Sequence, residues 1–155
     1  MIVIDCFVDK IWGKNSINKN EMKKIIKECL TKTNKKAKNV FLNVSFVNRE
    51  TIKKYNSLYR NKDKETNVLS FENKEQQNYD NFINLGEMIL CYEVIKDESI
   101  QFNKDFKERL YHLFVHSILH LLGYDHIIEK EREQMEKLEE EILQKFNIYN
   151  PYFID

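Results

Sequence analysis

Apolar and polar residues alternate at the start of the chain. In IVIDCFV the residues Ile2, Ile4, Cys6 and Val8 fall on one side, the period of two expected of a strand packed on one face. Between Asn20 and Leu30 the apolar positions become Met22, Ile25, Ile26, Cys29 and Leu30, the spacing of one helical stripe, with Asn18 or Asn20 placed to cap it. VFLNVSFVN returns to alternation, with Val40, Leu42, Val44 and Phe46 on one side. A short helix through Ile52, Tyr55 and Tyr59 follows, then two further strands, Thr66–Phe71 and Ile83–Cys91, separated by a polar loop over Glu72–Asn81. From Tyr92 onward the pattern is helical: a short segment to about Ile100, a long apolar helix from about Asp105 to Leu122, and an amphipathic one from about Glu129 to Phe146. Strands first and helices later, without strict alternation, predict an α+β fold. A small mixed four-stranded sheet is covered by helices, all in a single domain over residues 1–155.

The chain has 155 residues, 42% of them hydrophobic, which fits one core and leaves little for a second. Its charged fraction is 32%, but 12% aromatic residues and regular apolar runs provide enough burial to offset chain entropy, so disorder is excluded. No apolar run approaches the roughly 18 residues that cross a bilayer, and Asp5 interrupts the first one. Cys6, Cys29 and Cys91 are odd in number and lie among apolar neighbours, as buried thiols in a reducing cytoplasm would. A cytoplasmic protein with no membrane partner is therefore expected. The net charge of zero hides a division: Lys10–Lys62 holds 15 Lys or Arg against Glu21, Glu28 and Glu50, a balance of +12, so the remainder carries −12. Such a basic segment suits an anionic partner, although Lys-rich helices are often simply solvated.

The chemistry concentrates in HSILHLLGYDH, residues 116–126. His116 and His120 are four apart on the long helix, so at about 100° per residue they lie roughly 40° apart on one face. Gly123 stands where a helix commonly ends in a left-handed residue, which would let His126 approach the same point from beyond the helix. Three neutral nitrogen ligands with a fourth position left for water make the composition of a catalytic zinc site, here at the end of a long buried helix. Hydrogen-bonded core or surface histidines are the bland alternative, weakened by the turn-forming glycine between the second and third. His112, one turn earlier, suits a supporting or substrate role rather than ligation, and Asp125 either orients a ligand imidazole or is an exposed turn residue. Metzincin peptidases share the spacing but carry a Glu as general base where this chain has Ser117. Serine cannot take a proton from zinc-bound water at neutral pH, which disfavours peptidase chemistry. Phosphodiester cleavage fits better, because negative charge builds on nonbridging oxygens.

These residues resemble the YbeY family of bacterial single-strand-specific, metal-dependent endoribonucleases. The family hallmark is close to HGxLHLxGYDH, matched here except for Ser117 in place of Gly. A second block, YRxxDxPTDVLSF, is similar to YRNKDKETNVLSF from Tyr59 to Phe71, with Glu65 and Asn67 replacing Pro and Asp. A third block, LGDI, resembles LGEM, with Glu87 for Asp. The resemblance runs from about Val40 to the last helix, with the blocks in the family's order. It implies one Zn2+ on His116, His120 and His126, with Arg60 and His116 as catalytic residues. Arg60 also suits this role physically, since a guanidinium presents a charged planar fork to phosphate; a salt bridge to Asp63 or Glu87 is its structural alternative.

The expected function is thus a zinc-dependent endoribonuclease acting on single-stranded RNA. The resemblance further implies rRNA processing at the 3′ end of 16S rRNA, ribosome quality control, and contact with the ribosome or small-subunit proteins. Either water or the RNA's own 2′-hydroxyl could be the activated group. Tyr55, Tyr59 or Phe71 could stack on unpaired bases, although core packing is the commoner use of such positions. The competing expectation is a non-catalytic zinc-containing ribosome assembly factor; a divergent peptidase would need a base other than Ser117.

Overall fold

The structure, a computed structural model, describes residues 1–73, 81–125 and 127–152. Its elements run in the order β1 (Ile2–Val8), α1 (Lys19–Lys32), β2 (Asn39–Val47), α2 (Arg49–Arg60), β3 (Val68–Phe71), β4 (Phe82–Cys91), α3 (Tyr92–Gln101), α4 (Phe106–Leu121) and α5 (Glu129–Gln144), with a 3-10 turn at Lys10–Trp12. The sheet order is β1-β2-β4-β3. β1 and β4 flank β2 in parallel, and β3 lies antiparallel to β4 at the edge. The mixed sheet and the α+β class are as the order of strands and helices along the chain predicted. Most of the polar loop expected over Glu72–Asn81 lies outside the described residues.

Local signals fix the element ends. Asn18 caps α1, its side-chain oxygen accepting the Glu21 N–H at 2.8 Å, and Asn48 does the same for α2 through Thr51 N at 2.9 Å. α2 stops at Asn61, which takes a left-handed conformation at φ +54°. One face of the sheet is the predicted one: Val40, Leu42, Val44 and Phe46 are buried and pack in the same core as the apolar stripes of α1, α4 and α5. A smaller cluster of Val47, Ile52, Leu69, Ile89 and Cys91 involves α2, β3 and the end of β4. Trp12 is sealed at the end of the main core, donating its indole N–H to the Val47 carbonyl at 2.9 Å, with Phe46, Tyr92 and Phe106 edge-on around it. Val8, expected on the inner side of β1, is instead exposed, because the strand ends there and the chain leaves the sheet.

One irregularity in the sheet matters for the site. Phe41 pairs with Asn84 but Asn43 with Glu87, so Leu85 and Gly86 together oppose the single residue Leu42. Gly86 adopts φ +104° at this bulge, and a Cβ placed on it would lie 2.1 Å from the Phe71 carbonyl oxygen. Only glycine lets β3 pass this close to β4.

Candidate active site

α4 runs through the core with Leu110, Leu113, Phe114, Val115, Ile118 and Leu119 all buried. Its three histidines, His112, His116 and His120, are spaced at four residues and therefore stacked along one stripe. The helix ends as Gly123 predicted. The Gly123 N–H donates to His120 O at 3.0 Å and the Tyr124 N–H to Leu119 O at 3.0 Å, with Gly123 at φ +104°. This doubly bonded exit satisfies the last carbonyls and turns the chain out of the helix axis. His126, the third predicted ligand, lies outside the described residues. Among the described residues no three of His, Cys, Asp and Glu gather as a metal-binding group. Asp125 accepts the Ile127 N–H on its side chain at 3.2 Å, which makes it part of the turn.

Behind the stripe stands Glu139 of α5, fully buried at 0% exposure. Its Oε1 lies 2.5 Å from His116 Nδ1, its Oε2 lies 3.7 Å from His112 Nε2, and the Tyr152 hydroxyl also donates to Oε2. Burial alone would raise the carboxyl pKa. The hydrogen bonds and charge of His112 and His116 outweigh it, and the net shift is downward, so Glu139 stays ionised in the interior. The network continues outward: Arg109 Nη1 sits 3.4 Å from His112 Nδ1, Arg109 bonds Glu98 at 2.8 Å, and Glu98 accepts from the Asn67 amide at 3.1 Å.

In front of the stripe is a groove of about 320 Å³, where His116, Ser117 and His120 face Arg60, Lys62 and Lys64. Arg60 forms neither of the salt bridges envisaged for it. It donates to the Ser70 carbonyl at 2.8 Å, and its guanidinium lies 5.1 Å from the centre of the Phe71 ring. That anchorage uses one of its five N–H groups. The loop bearing Lys62 and Lys64 is tied down by Asn56, whose side-chain amide donates to Lys64 O at 2.9 Å while its backbone carbonyl accepts the Lys62 N–H. Among the described residues, Arg60 and Lys62 are the cations of the +12 segment that line this groove; the α1 lysines lie elsewhere on the molecule. Tyr55, Tyr59 and Phe71 form a ring ladder with 5.9 and 5.5 Å between centroids. Tyr59, which core packing would have claimed, is 63% exposed, and it shares a second recess with Arg60, Phe71 and His120.

The donor chemistry is consistent with a divalent transition ion. His116 has one ring nitrogen held by a buried carboxylate, and His120 Nδ1 is buried with no hydrogen-bond partner among the described residues. Both are imidazoles, the ligand type that zinc and its neighbours accept.

A sequence model of the family described as Endoribonuclease YbeY matches residues 8–147. The chain belongs to the YbeY family. An Endoribonuclease YbeY of Ruthia magnifica is 38% identical over 145 residues, covering 94% of this chain and 98% of that protein. One from Buchnera aphidicola is 40% identical over 149 residues, covering 91% and 90%. A solution structure of TM1509 from Thermotoga maritima superposes with a TM-score of 0.60 at 26% identity, covering 94% of this chain and 92% of that one. Membership makes this YbeY chain an enzyme of the nuclease class, as its motifs implied. No helix among its described residues is long and apolar enough to cross a membrane.

Two of the replaced motif positions of this YbeY chain, Glu65 and Asn67, have local partners. Glu65 pairs with Arg49 at 2.5 Å, and Asn67 bonds Glu98. Ser117 is buried beside the groove, and its hydroxyl has no partner among the described residues. Glu139 was missed by sequence reasoning, which looked to Asp125 for an imidazole partner. A signal was available: Met135, Glu139 and Ile142 fall at i, i+4 and i+7, so a carboxylate interrupts the apolar stripe of α5.

Proposed function

We propose that this chain is a zinc-dependent endoribonuclease that cuts single-stranded rRNA during its processing, with the 3′ end of 16S rRNA and ribosome quality control as its setting and the ribosome or small-subunit proteins as partners. The observation that carries the reading is the groove in which two histidines face three cationic side chains. A single strand supplies the matching chemistry: a phosphate every nucleotide and bases exposed for stacking.

His116, His120 and His126 would hold the ion. Bound there, it would supply Lewis-acid polarisation of a phosphoryl oxygen and a lowered pKa for a coordinated hydroxyl group or water. The rest follows from the chain's own side chains. Arg60, oriented by Ser70 and Phe71, points its remaining N–H donors at nonbridging oxygens and stabilises the charge that builds there. Lys62 and Lys64 hold neighbouring phosphates on the groove wall. The exposed face of Tyr59 accepts a base, a contact of about 1–3 kcal/mol.

The test is cleavage of a single-stranded RNA by purified full-length protein. Cleavage is expected to disappear with a chelator and in His116→Ala, and to fall about 100-fold or more in Arg60→Ala, the usual loss when a charge-stabilising donor is removed. RNA binding should weaken with rising salt. Metal-loaded protein that binds rRNA but never cleaves it would overturn the proposal in favour of an assembly factor.

A further inference from the structure

The geometry points to Glu139 as a positioning residue that faces opposite tautomers of His112 and His116 and holds the His116 proton on Nδ1, so that His116 presents Nε2 as its lone-pair nitrogen. Part of this stands on hydrogen-bond logic alone; its consequence for metal affinity rests on the proposed metal site.

Arginine can only donate a hydrogen bond. With Arg109 Nη1 3.4 Å from His112 Nδ1, that nitrogen is the acceptor, and the neutral His112 ring carries its proton on Nε2. Nε2 is the atom facing Glu139 Oε2, at 3.7 Å. An ionised carboxylate can only accept. His116 meets Glu139 Oε1 through the other ring position, Nδ1, at 2.5 Å, and so carries its proton there. One carboxylate therefore faces an Nε2–H from one turn of α4 and an Nδ1–H from the next. The Tyr152 hydroxyl adds a third donor on Oε2 and packs its ring edge-on to His112, with centroids 4.7 Å apart.

Two features mark this as orientation rather than incidental packing. Glu139 occupies a position on the apolar stripe of α5 that a leucine would fill without desolvating a charge. Arg109 is in turn fixed by Glu98, which bonds it through both Nε and Nη2, at 3.0 and 2.8 Å. Each member is held by the next, so the His116 ring plane is set from behind by α5 and α3. A carboxylate on the far nitrogen also makes a ligand imidazole more basic.

The experiment uses full-length, metal-stripped, 15N-labelled protein at a pH where the rings are neutral, read by long-range proton–nitrogen correlation of the imidazoles. Wild type should show His116 protonated at Nδ1 and His112 at Nε2. In Glu139→Gln, His116 should lose its single tautomer, and Zn2+ affinity, measured by competition with a chromophoric chelator, should fall about 10–100-fold. Glu139→Asp should recover part of both effects. Tyr152→Phe, which leaves the carboxylate in place, should keep the tautomers and serves as the readout if Glu139→Gln does not fold. His116 protonated at Nε2 in wild type would overturn the inference. So would a folded Glu139→Gln with unchanged tautomers and unchanged Zn2+ affinity. If wild type and His116→Ala bind Zn2+ equally weakly, the metal reading fails, while the tautomer assignment is decided by its own spectrum.

Discussion

Gly86→Ala is a sharp test of how the fold builds the site. The added methyl would meet two independent penalties. The first is conformational: at φ +104° an L side chain costs about 1–2 kcal/mol. The second is steric, since the Cβ would sit 2.1 Å from Phe71 O and 3.1 Å from Asn73 N, so β3 must move away from the bulge; overpacking of this kind costs about 1–3 kcal/mol. The two together give about 2–5 kcal/mol, which for a chain of this length corresponds to a fall in Tm of about 5–15 °C. Gly123→Ala is the matched control. It has the same φ of +104° but no described atom within 4 Å of the added carbon, so it should show the first penalty without the second. Thermal unfolding followed by circular dichroism measures both variants. Because Phe71 also carries the Arg60 guanidinium, Gly86→Ala should slow RNA cleavage even at temperatures where it remains folded. If Gly86→Ala melts no lower than Gly123→Ala, the close passage of β3 over β4 is not what the bulge enforces, and this account of how Arg60 is placed fails.

Glu139 sets the acid limb of stability. Its pKa in the folded protein is lowered from the ordinary Glu value, so the stabilisation is fully present above that ordinary value and is lost as pH falls through the folded pKa. The difference in unfolding free energy between wild type and Glu139→Gln should therefore shrink between neutral pH and about pH 3; a gap constant across that range in urea titrations would refute the ionised-carboxylate assignment. Cys91 makes a chemical prediction. Burial raises its thiol pKa, opposed by backbone hydrogen bonds from Val94 and Glu93, and the result is pushed up to about 11. Its reaction with a disulfide reagent at pH 8 should be at least about tenfold slower than that of a free thiol of pKa ~8.5, the smaller thiolate fraction outweighing the greater nucleophilicity of a high-pKa thiolate, and a rate near the free-thiol value would contradict its placement.

The sequence by itself determined the elements and the helical half of the site. Alternation and the 3.6 period are local consequences of how side chains project from the backbone, so Val40–Phe46 and the α1 stripe could be read directly. The same holds for His116 and His120, whose common face follows from their spacing, and for the helix exit at Gly123, since both depend only on nearby residues. Arg60 was legible through its motif, but its anchorage on Ser70 and Phe71 was not, because it depends on where β3 settles against the bulge at Gly86. Tyr59 shows the same limit: helical spacing placed it beside Tyr55, and only the packing of α2 against the sheet decided that its ring faces outward. Glu139 is the clearest case. It lies 23 residues from His116, on another helix, and a buried charge is tolerable there only because two imidazoles and a tyrosine converge on it. Local rules specify which side chains share a face. Long-range packing decides which faces meet, and the electrostatics of the site arise where they do.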